Sequence, residues 1–294
     1  MLTTTEALLQ QLKTLGDPMR ARLVMLCSLG ECSVSELVET TAQSQPRISQ
    51  HLKQLCDAGL MERFRDGHFV YYRVPMRGAQ GASRRRLLAL LPDDEPQFVR
   101  DFEKLKSLRA AAGESPDIES DDVDRSLHRA LVALTVAAPL GDMLDIGCGQ
   151  GRILKLLASR AGRAVGVDVD SDARRMARAE LLLAGLPNCS LRQGDMYALP
   201  FDDAEFDTVI LDDVLATAEL PADAVAEARR LLRPGGRLLF LSSCGERGST
   251  GLGEQFAGLC ADAGLRLAQP RLIPARNPLW LLAVATPIAV TEAA

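Results

Sequence analysis

The sequence predicts two domains, the first mainly α with a β-hairpin and the second α/β with a largely parallel sheet. Three observations carry this. Residues 113–124, GESPDIESDDVD, hold six acids and no base among Gly, Ser and Pro, as a solvated linker does. Before that stretch, apolar residues recur at helical spacing, with one alternating stretch near residue 65. After it, short apolar runs alternate with helical stretches from Met143 onward. A chain of 294 residues is long enough for both.

Composition narrows the function classes. Hydrophobic residues are 47% and charged residues 25%, as in folded globular proteins. Aromatics are only 4%, so the cores must rest on Leu, Val, Ala and Ile. A formal net charge of −5 argues against coating nucleic acid or membrane through bulk charge, but leaves room for one local DNA-binding face. The N-terminus has no cationic start followed by an apolar run, and no uncharged apolar stretch is long enough to span a bilayer. Seven cysteines, none in a CxxC pair, fit reduced thiols. A cytoplasmic location is expected, with no membrane partner.

In the first domain, Asp17 is placed to cap a helix that has Pro18 at its first position. SVSE at 33–36 is a capping box opening a short helix to about Glu39. A further helix begins near Ser44 and stops before Gly59. Its Ile48, Leu52 and Leu55 form an inward face. Arg47, Gln50, His51 and Gln54 lie on the other side. Arg and Gln read guanine and adenine edges in a major groove, and such helices present their N-terminal end to the bases. The expected DNA contacts are therefore Ser44, Gln45, Arg47, Gln50 and His51. LMERFRDGHFVYYRV makes two alternating runs around Asp66-Gly67, a hairpin whose Arg63, Arg65 and Arg73 suit phosphates. Bulk charge does not decide the matter, because residues 1–75 carry eight bases and eight acids. The order of the elements does.

That order resembles the ArsR family of winged helix-turn-helix repressors across about residues 8–75, through LGDPMRARLVMLCSLGE, SQPRISQHLKQLCDAGLM and RDGHFVYYRV. The resemblance implies a mainly α winged helix-turn-helix domain over 1–80, a double-stranded DNA operator as partner, and a homodimer. Metal-sensing members carry two cysteines where this chain has Ser33 and Ser35, and the stretch 76–111 has neither Cys nor His, so no metal is expected. Residues 81–124 are expected to hold a helical dimerisation segment and the acidic linker. The apolar stripe through Leu87, Leu88, Leu91, Phe98, Phe102 and Leu105 offers either a two-fold seam or intramolecular core.

In the second domain, 125–294, Met143–Ile146 is a buried strand. Gly147-Cys148-Gly149-Gln150-Gly151 is the turn, a helix starts at Arg152, and AVGVDVD ends a second strand at Asp168. This is a Rossmann-like half unit. Its GxGxG spacing is not the dinucleotide GxGxxG, and Asp145 just before the turn repels phosphate and welcomes an ammonium. Asp168 suits ribose hydroxyls. Asp195 suits an adenine amino group, with Met196 against the ring. LDIGCGQG, GVDVD, GDMYALPF and LLRPGGRLL, in this order over about 125–287, resemble the class I S-adenosylmethionine-dependent methyltransferases. The resemblance implies an α/β Rossmann-like methyltransferase sheet. It also implies S-adenosylmethionine or S-adenosylhomocysteine bound through Gly147, Gly149, Asp168, Asp195 and Met196, with Asp145 at the amino-acid end.

No general base is legible, so catalytic residues stay unknown. Asp212 and Asp213 follow the fourth strand where they suit an acceptor, or cap the next helix. SSCGERGSTGLGEQF reads as a short Gly/Ser-rich lid. The fusion is similar to S-adenosylhomocysteine-responsive regulators of the methyl cycle. Two functions are expected from it: a ligand-controlled transcriptional repressor, with S-adenosylhomocysteine the preferred effector, or an active methyltransferase with an appended winged helix.

Overall fold

The computed structural model describes residues 5–66, 69–75, 81–92, 94–112, 121–244, 248–274 and 278–288. The chain divides into two compact units: Met1–Glu114 with Arg178–Ser190, and Ser115–Ala177 with Leu191–Ala294. Gly67 of the expected hairpin turn and residues 113–120 of the expected linker lie outside the described residues, whereas Asp121–Asp124 begin a helix.

The first unit opens with α1 (Thr5–Leu15), α2 (Pro18–Ser28), β1 (Cys32–Ser33), α3 (Val34–Thr41) and α4 (Gln45–Asp57). It continues with β2 (Glu62–Asp66), β3 (Phe69–Arg73), α5 (Gly81–Leu88) and α6 (Pro96–Ala112). Local chemistry sets the helix ends. Asp17 Oδ1 accepts from Arg20 N at 3.0 Å, satisfying one free donor of α2. Ser33 N donates to Glu36 Oε2 at 2.7 Å and Glu36 N to Ser33 Oγ at 3.3 Å, closing the capping box. The turn between α3 and α4 passes through Ala42 at φ 54°, a left-handed conformation that costs a residue with a Cβ. Strands pair antiparallel in the order β1-β3-β2, with Glu62 opposite Arg73 and Asp66 opposite Phe69.

Ile48, Leu52 and Leu55 are fully buried, and they share one core with Leu23, Leu26 and Leu37. Leu87 and Leu105 join that core, so most of the stripe read as a possible two-fold seam is consumed inside the unit. Buried charges tie the helices together. Arg22 forks onto Asp101 at 2.6 and 2.7 Å, and Arg109 donates to Glu36 at 2.7 Å and to the Glu31 carbonyl at 2.6 Å. Within the same unit Arg178 pairs with Glu31 at 3.1 Å and with Asp66 at 2.5 Å.

The chain then runs through α7 (Asp121–Ala137), β4 (Asp142–Ile146), α8 (Arg152–Leu157), β5 (Arg163–Asp168), α9 (Ser171–Leu183) and β6 (Cys189–Gln193). It ends with β7 (Phe206–Asp212), α10 (Pro221–Leu231), β8 (Leu232–Ser243), α11 (Gly248–Asp262), β9 (Leu265–Leu267), β10 (Arg271–Ile273) and β11 (Trp280–Pro287). An eight-stranded sheet has the order β10-β11-β8-β7-β4-β5-β6, with β9 also on β11. β5-β4-β7-β8 are parallel, and β11 is antiparallel to β8. Strands β4 to β6 fill one side and β7 starts the other, so the direction of winding reverses between β4 and β7. That reversal opens a crevice beyond their carboxyl ends.

The stretch read as a Gly/Ser-rich lid is mostly helix. α11 buries Leu252, Phe256 and Cys260 on one stripe, and Phe256 stacks on Phe240 at 4.8 Å. Tertiary burial outweighs the poor helix propensity of its glycines.

Candidate functional site

Two sets of residues were expected to act, one in each unit. On α4, Ser44, Gln45, Arg47 and Gln50 are all exposed, and Arg65 is exposed on β2. Arg47 Nη1 donates to the neighbouring Gln43 Oε1 at 3.0 Å in solvent. His51 does not join this face. Its side chain is 15% exposed and its Nδ1 lies 3.8 Å from Asp17 Oδ1. The reason is the helical period: His51 is next to buried Leu52 and turns toward the start of α2. Arg73, expected at phosphates, is instead engaged by Glu62 and by Glu31 at 3.4 Å. Its guanidinium also lies over Phe64.

The residues expected at an adenosyl ligand lie at or beyond the carboxyl ends of β4, β5 and β6. Gly147, Gly149 and Gly151 all have positive φ, which bends the chain sharply out of β4. A Cβ on Gly147 would lie 2.3 Å from Val214 Cγ2, so its glycine is demanded by the protein's own packing. A Cβ on Gly149 would meet nothing within 4 Å, so this turn faces open space. Asp168, half-buried at the end of β5, accepts from Gly149 N at 2.8 Å and from Asp170 N at 2.9 Å. Asp195 is exposed and accepts from Tyr197 N at 3.1 Å. Met196 is half-buried against the core beneath.

Asp145 is the unusual member. It is wholly buried in the central strand β4, and neither carboxylate oxygen has a hydrogen-bond partner. Burial, and then the charge of Asp212, push its carboxyl well above the ordinary carboxylate range, while Arg152 pulls the other way. An unpaired buried carboxylate is costly, and it fits a site completed by a cation.

Arg152 and Trp280, which the sequence did not single out, stand beside Asp212, which it did. Arg152 Nη2 donates to both oxygens of Asp212 at 2.8 Å, and its guanidinium stacks 4.4 Å from the ring of Trp280. Burial raises the Asp212 carboxyl, with Arg152 opposing it. Asp213, at φ 54°, accepts from Ser243 N at 2.7 Å, Ser242 Oγ at 3.0 Å and Ser243 Oγ at 3.1 Å, and makes no side-chain cap for the turn after it. Arg152 directly after the glycine turn and the single tryptophan were the available signals. Their convergence on Asp212 was not visible without the strand order. Among the described residues no group of three His, Cys, Asp or Glu is arranged to hold a metal ion, and no helix is long and apolar enough to cross a membrane.

Residues 17–63 match the model of the bacterial regulatory protein, arsR family, and residues 144–240 match that of a methyltransferase domain. An uncharacterised 37.1 kDa protein in transposon TN4556 of Streptomyces fradiae is 33% identical over 177 residues, 56% of this chain and 51% of that protein. The ubiquinone/menaquinone biosynthesis C-methyltransferase UbiE of Burkholderia mallei is 34% identical over 155 residues, 49% of this chain and 63% of that enzyme. The chain thus spans between half and two thirds of these relatives' lengths. The crystal structure of the [4+2]-cyclase SpnF aligns with a TM-score of 0.50 at 21% identity, covering 62% of this chain and 92% of that one. A SAM-dependent methyltransferase from Aquifex aeolicus aligns at 0.49 and 17% identity, over 61% and 97%. A fold shared with a protein named a cyclase does not by itself assign the reaction. The chain carries an arsR-family helix-turn-helix at residues 17–63 and, at residues 144–240, a methyltransferase domain of Rossmann-like fold.

Proposed function

We propose that the chain is a DNA-binding transcriptional repressor that senses S-adenosylhomocysteine or S-adenosylmethionine through its methyltransferase domain. The observation that carries this is Asp145: a buried carboxylate with two open acceptors, beside a glycine turn that faces free space. An adenosyl amino acid answers both features. Its ammonium completes Asp145, its ribose hydroxyls donate to Asp168 at the end of β5, and its adenine lies toward Asp195 and Met196. Gly149 leaves room for the ligand, and Gly147 shapes the turn. On the output side, Ser44, Gln45, Arg47, Gln50 and Arg65 face solvent and are free to meet an operator.

Sensing is favoured over turnover by Asp212 and Asp213. The two groups best placed for an acceptor are held by Arg152 and by Ser242 with Ser243. The enzyme reading keeps one specific support, the 34% identity to a C-methyltransferase. A two-fold operator calls for a homodimer, and α1 supplies an apolar face for it, with Leu8, Leu9 and Leu12 37%, 61% and 41% exposed.

The test uses the purified full-length chain. Calorimetry with both adenosyl ligands is followed by operator titration in their presence. Sensing requires that one ligand change operator affinity roughly 5- to 150-fold, the usual span of allosteric coupling. Asp168→Ala is expected to remove that response and keep basal DNA binding. Methyl transfer to a small acceptor, with operator affinity indifferent to both ligands, establishes the enzyme reading instead.

A further inference from the structure

The first unit takes in one stretch from far along the sequence, Arg178–Ser190. That stretch is bracketed by residues expected at the adenosyl ligand. Asp168 ends β5 and α9 leads from it into the stretch, while β6 leads out of the stretch towards Asp195. The start of α9 is tied to Asp168. Asp170 N donates to Asp168 Oδ1 at 2.9 Å, and Asp170 Oδ1 in turn accepts from Asp172 N at 2.8 Å, capping the helix. Arg174 Nη1 donates to the Asp168 carbonyl at 2.8 Å. Gly194 N, beyond the stretch in sequence, donates to the same oxygen at 3.2 Å. From Ser171 to Arg178 the helix rises about 10 Å.

Arg178 holds the hairpin of β2 and β3. Its guanidinium meets Asp66 at 2.5 Å and Glu31 at 3.1 Å, and lies 3.9 Å from the centre of the Tyr71 ring. All four side chains are buried. An aspartate beside a hairpin turn is ordinarily solvated, and a buried one needs its partner kept in place. Neighbouring side chains on a strand point to opposite faces, so the exposed Arg65 stands back to back with Asp66. What fixes Asp66 therefore fixes Arg65, a residue expected at the operator. Buried ion pairs add little net stability but are suited to fixing register, because a small displacement breaks bonds that water does not replace. We infer that Arg178–Ser190 couples ligand to DNA: an adenosyl ligand on Asp168 and Asp195 sets both ends of the stretch, and Arg178 passes that setting to the hairpin through Asp66. The inference rests on the adenosyl-ligand reading above and adds to it the route by which occupancy reaches a DNA-contacting residue.

The test needs no operator. Amide hydrogen exchange is followed on the full-length protein with and without S-adenosylhomocysteine or S-adenosylmethionine, whichever calorimetry shows to bind more tightly. In the wild type, ligand is expected to change exchange in Glu62–Asp66 and Phe69–Arg73 by roughly threefold or more, beyond any change in α2. Arg178→Met is expected to bind the ligand and to lose most of that change. A merely structural role would alter exchange equally with and without ligand and leave the ligand's effect in place. Arg178→Lys, which keeps the charge, is expected to recover part of the effect. Should Arg178→Met fail to fold, Asp66→Asn keeps the Arg178–Glu31 pair and the shape at position 66, and the same loss is expected from it. Wild-type protein that binds ligand with no change in the hairpin, or with a change spread evenly over the first unit, overturns the inference while the adenosyl reading stands. A ligand effect that persists in the folded variants overturns it too, as does loss of ligand binding in them, which would make the stretch a scaffold for the pocket. Wild-type protein that takes up neither adenosyl ligand overturns the adenosyl reading, and the inference with it.

Discussion

Replacing Asp145 by asparagine exchanges one oxygen for an amide nitrogen in a residue that is wholly buried and lacks any hydrogen-bond partner. The wild-type carboxyl is raised well above the usual range, first by burial and then by the charge of Asp212. Without ligand it therefore keeps a proton to a higher pH than a free aspartate does. A bound ammonium favours the ionised form, so binding releases that proton. Affinity should rise with pH through the raised value of the ligand-free protein and level off above it. The sign for stability is opposite. The folded value exceeds the unfolded one, so the contribution of this group is fully present below the unfolded value and is lost as pH climbs through the folded one. Asp145→Asn removes both dependences. It also exchanges a charge-assisted hydrogen bond for a neutral contact, and bonds to charged groups contribute about 1.5–3 kcal/mol. At 1.4 kcal/mol per tenfold, affinity for S-adenosylhomocysteine should fall roughly 10- to 150-fold. Calorimetry in buffers of different ionisation enthalpy reads both the affinity and the proton count. Proton-neutral binding by the wild type, together with unchanged affinity in Asp145→Asn, refutes the reasoning.

Three further outcomes are expected. Arg47→Ala should weaken operator binding by roughly tenfold without altering ligand affinity, since a side chain reading bases is worth about one to two orders of magnitude; an unchanged gel-shift midpoint moves base reading off this residue. Arg109→Met should destabilise the chain by about 1.5–3 kcal/mol in urea melts, because it removes a charge-assisted bond to Glu36 and leaves that half-buried carboxylate with its Ser33 bonds alone. Burial raises the Glu36 carboxyl, but Arg109 and the Ser33 bonds outweigh it and hold the group below its ordinary value. The stability it adds is thus present above the unfolded carboxylate range and lost as pH falls through the folded value, and that acid sensitivity should diminish in the variant. Ala42→Gly should stabilise by up to about 1 kcal/mol, because it relieves the left-handed conformation at φ 54° while adding some unfolded-state entropy; a lower melting temperature contradicts this.

What could be read from the sequence acts over a few residues. Asp17 with Pro18, the Ser33–Glu36 box, the stop at Gly59, the stripe Ile48-Leu52-Leu55 and the turn from Gly147 to Gly151 are each decided by backbone geometry within one or two turns of chain. For that reason the helix-turn-helix and the strand–turn–helix of the crevice were legible, and Asp168 fell at the end of β5, with Asp145 in β4 just before the glycine turn and Asp195 just beyond β6. Tertiary structure alone decided how distant charges were shared. Arg152 closes on Asp212, 60 residues away, and Arg109 on Glu36, 73 residues away. Those pairings follow from which strands and helices become neighbours, and local periodicity does not encode that. The same holds for α11, whose glycines argue against a helix until Leu252, Phe256 and Cys260 find a core, and for Leu87 and Leu105, whose stripe suits a partner chain as well as its own. Residue pattern sets what a segment can become. Burial and the desolvation of charge, available only once the chain is closed, set which of those options is taken.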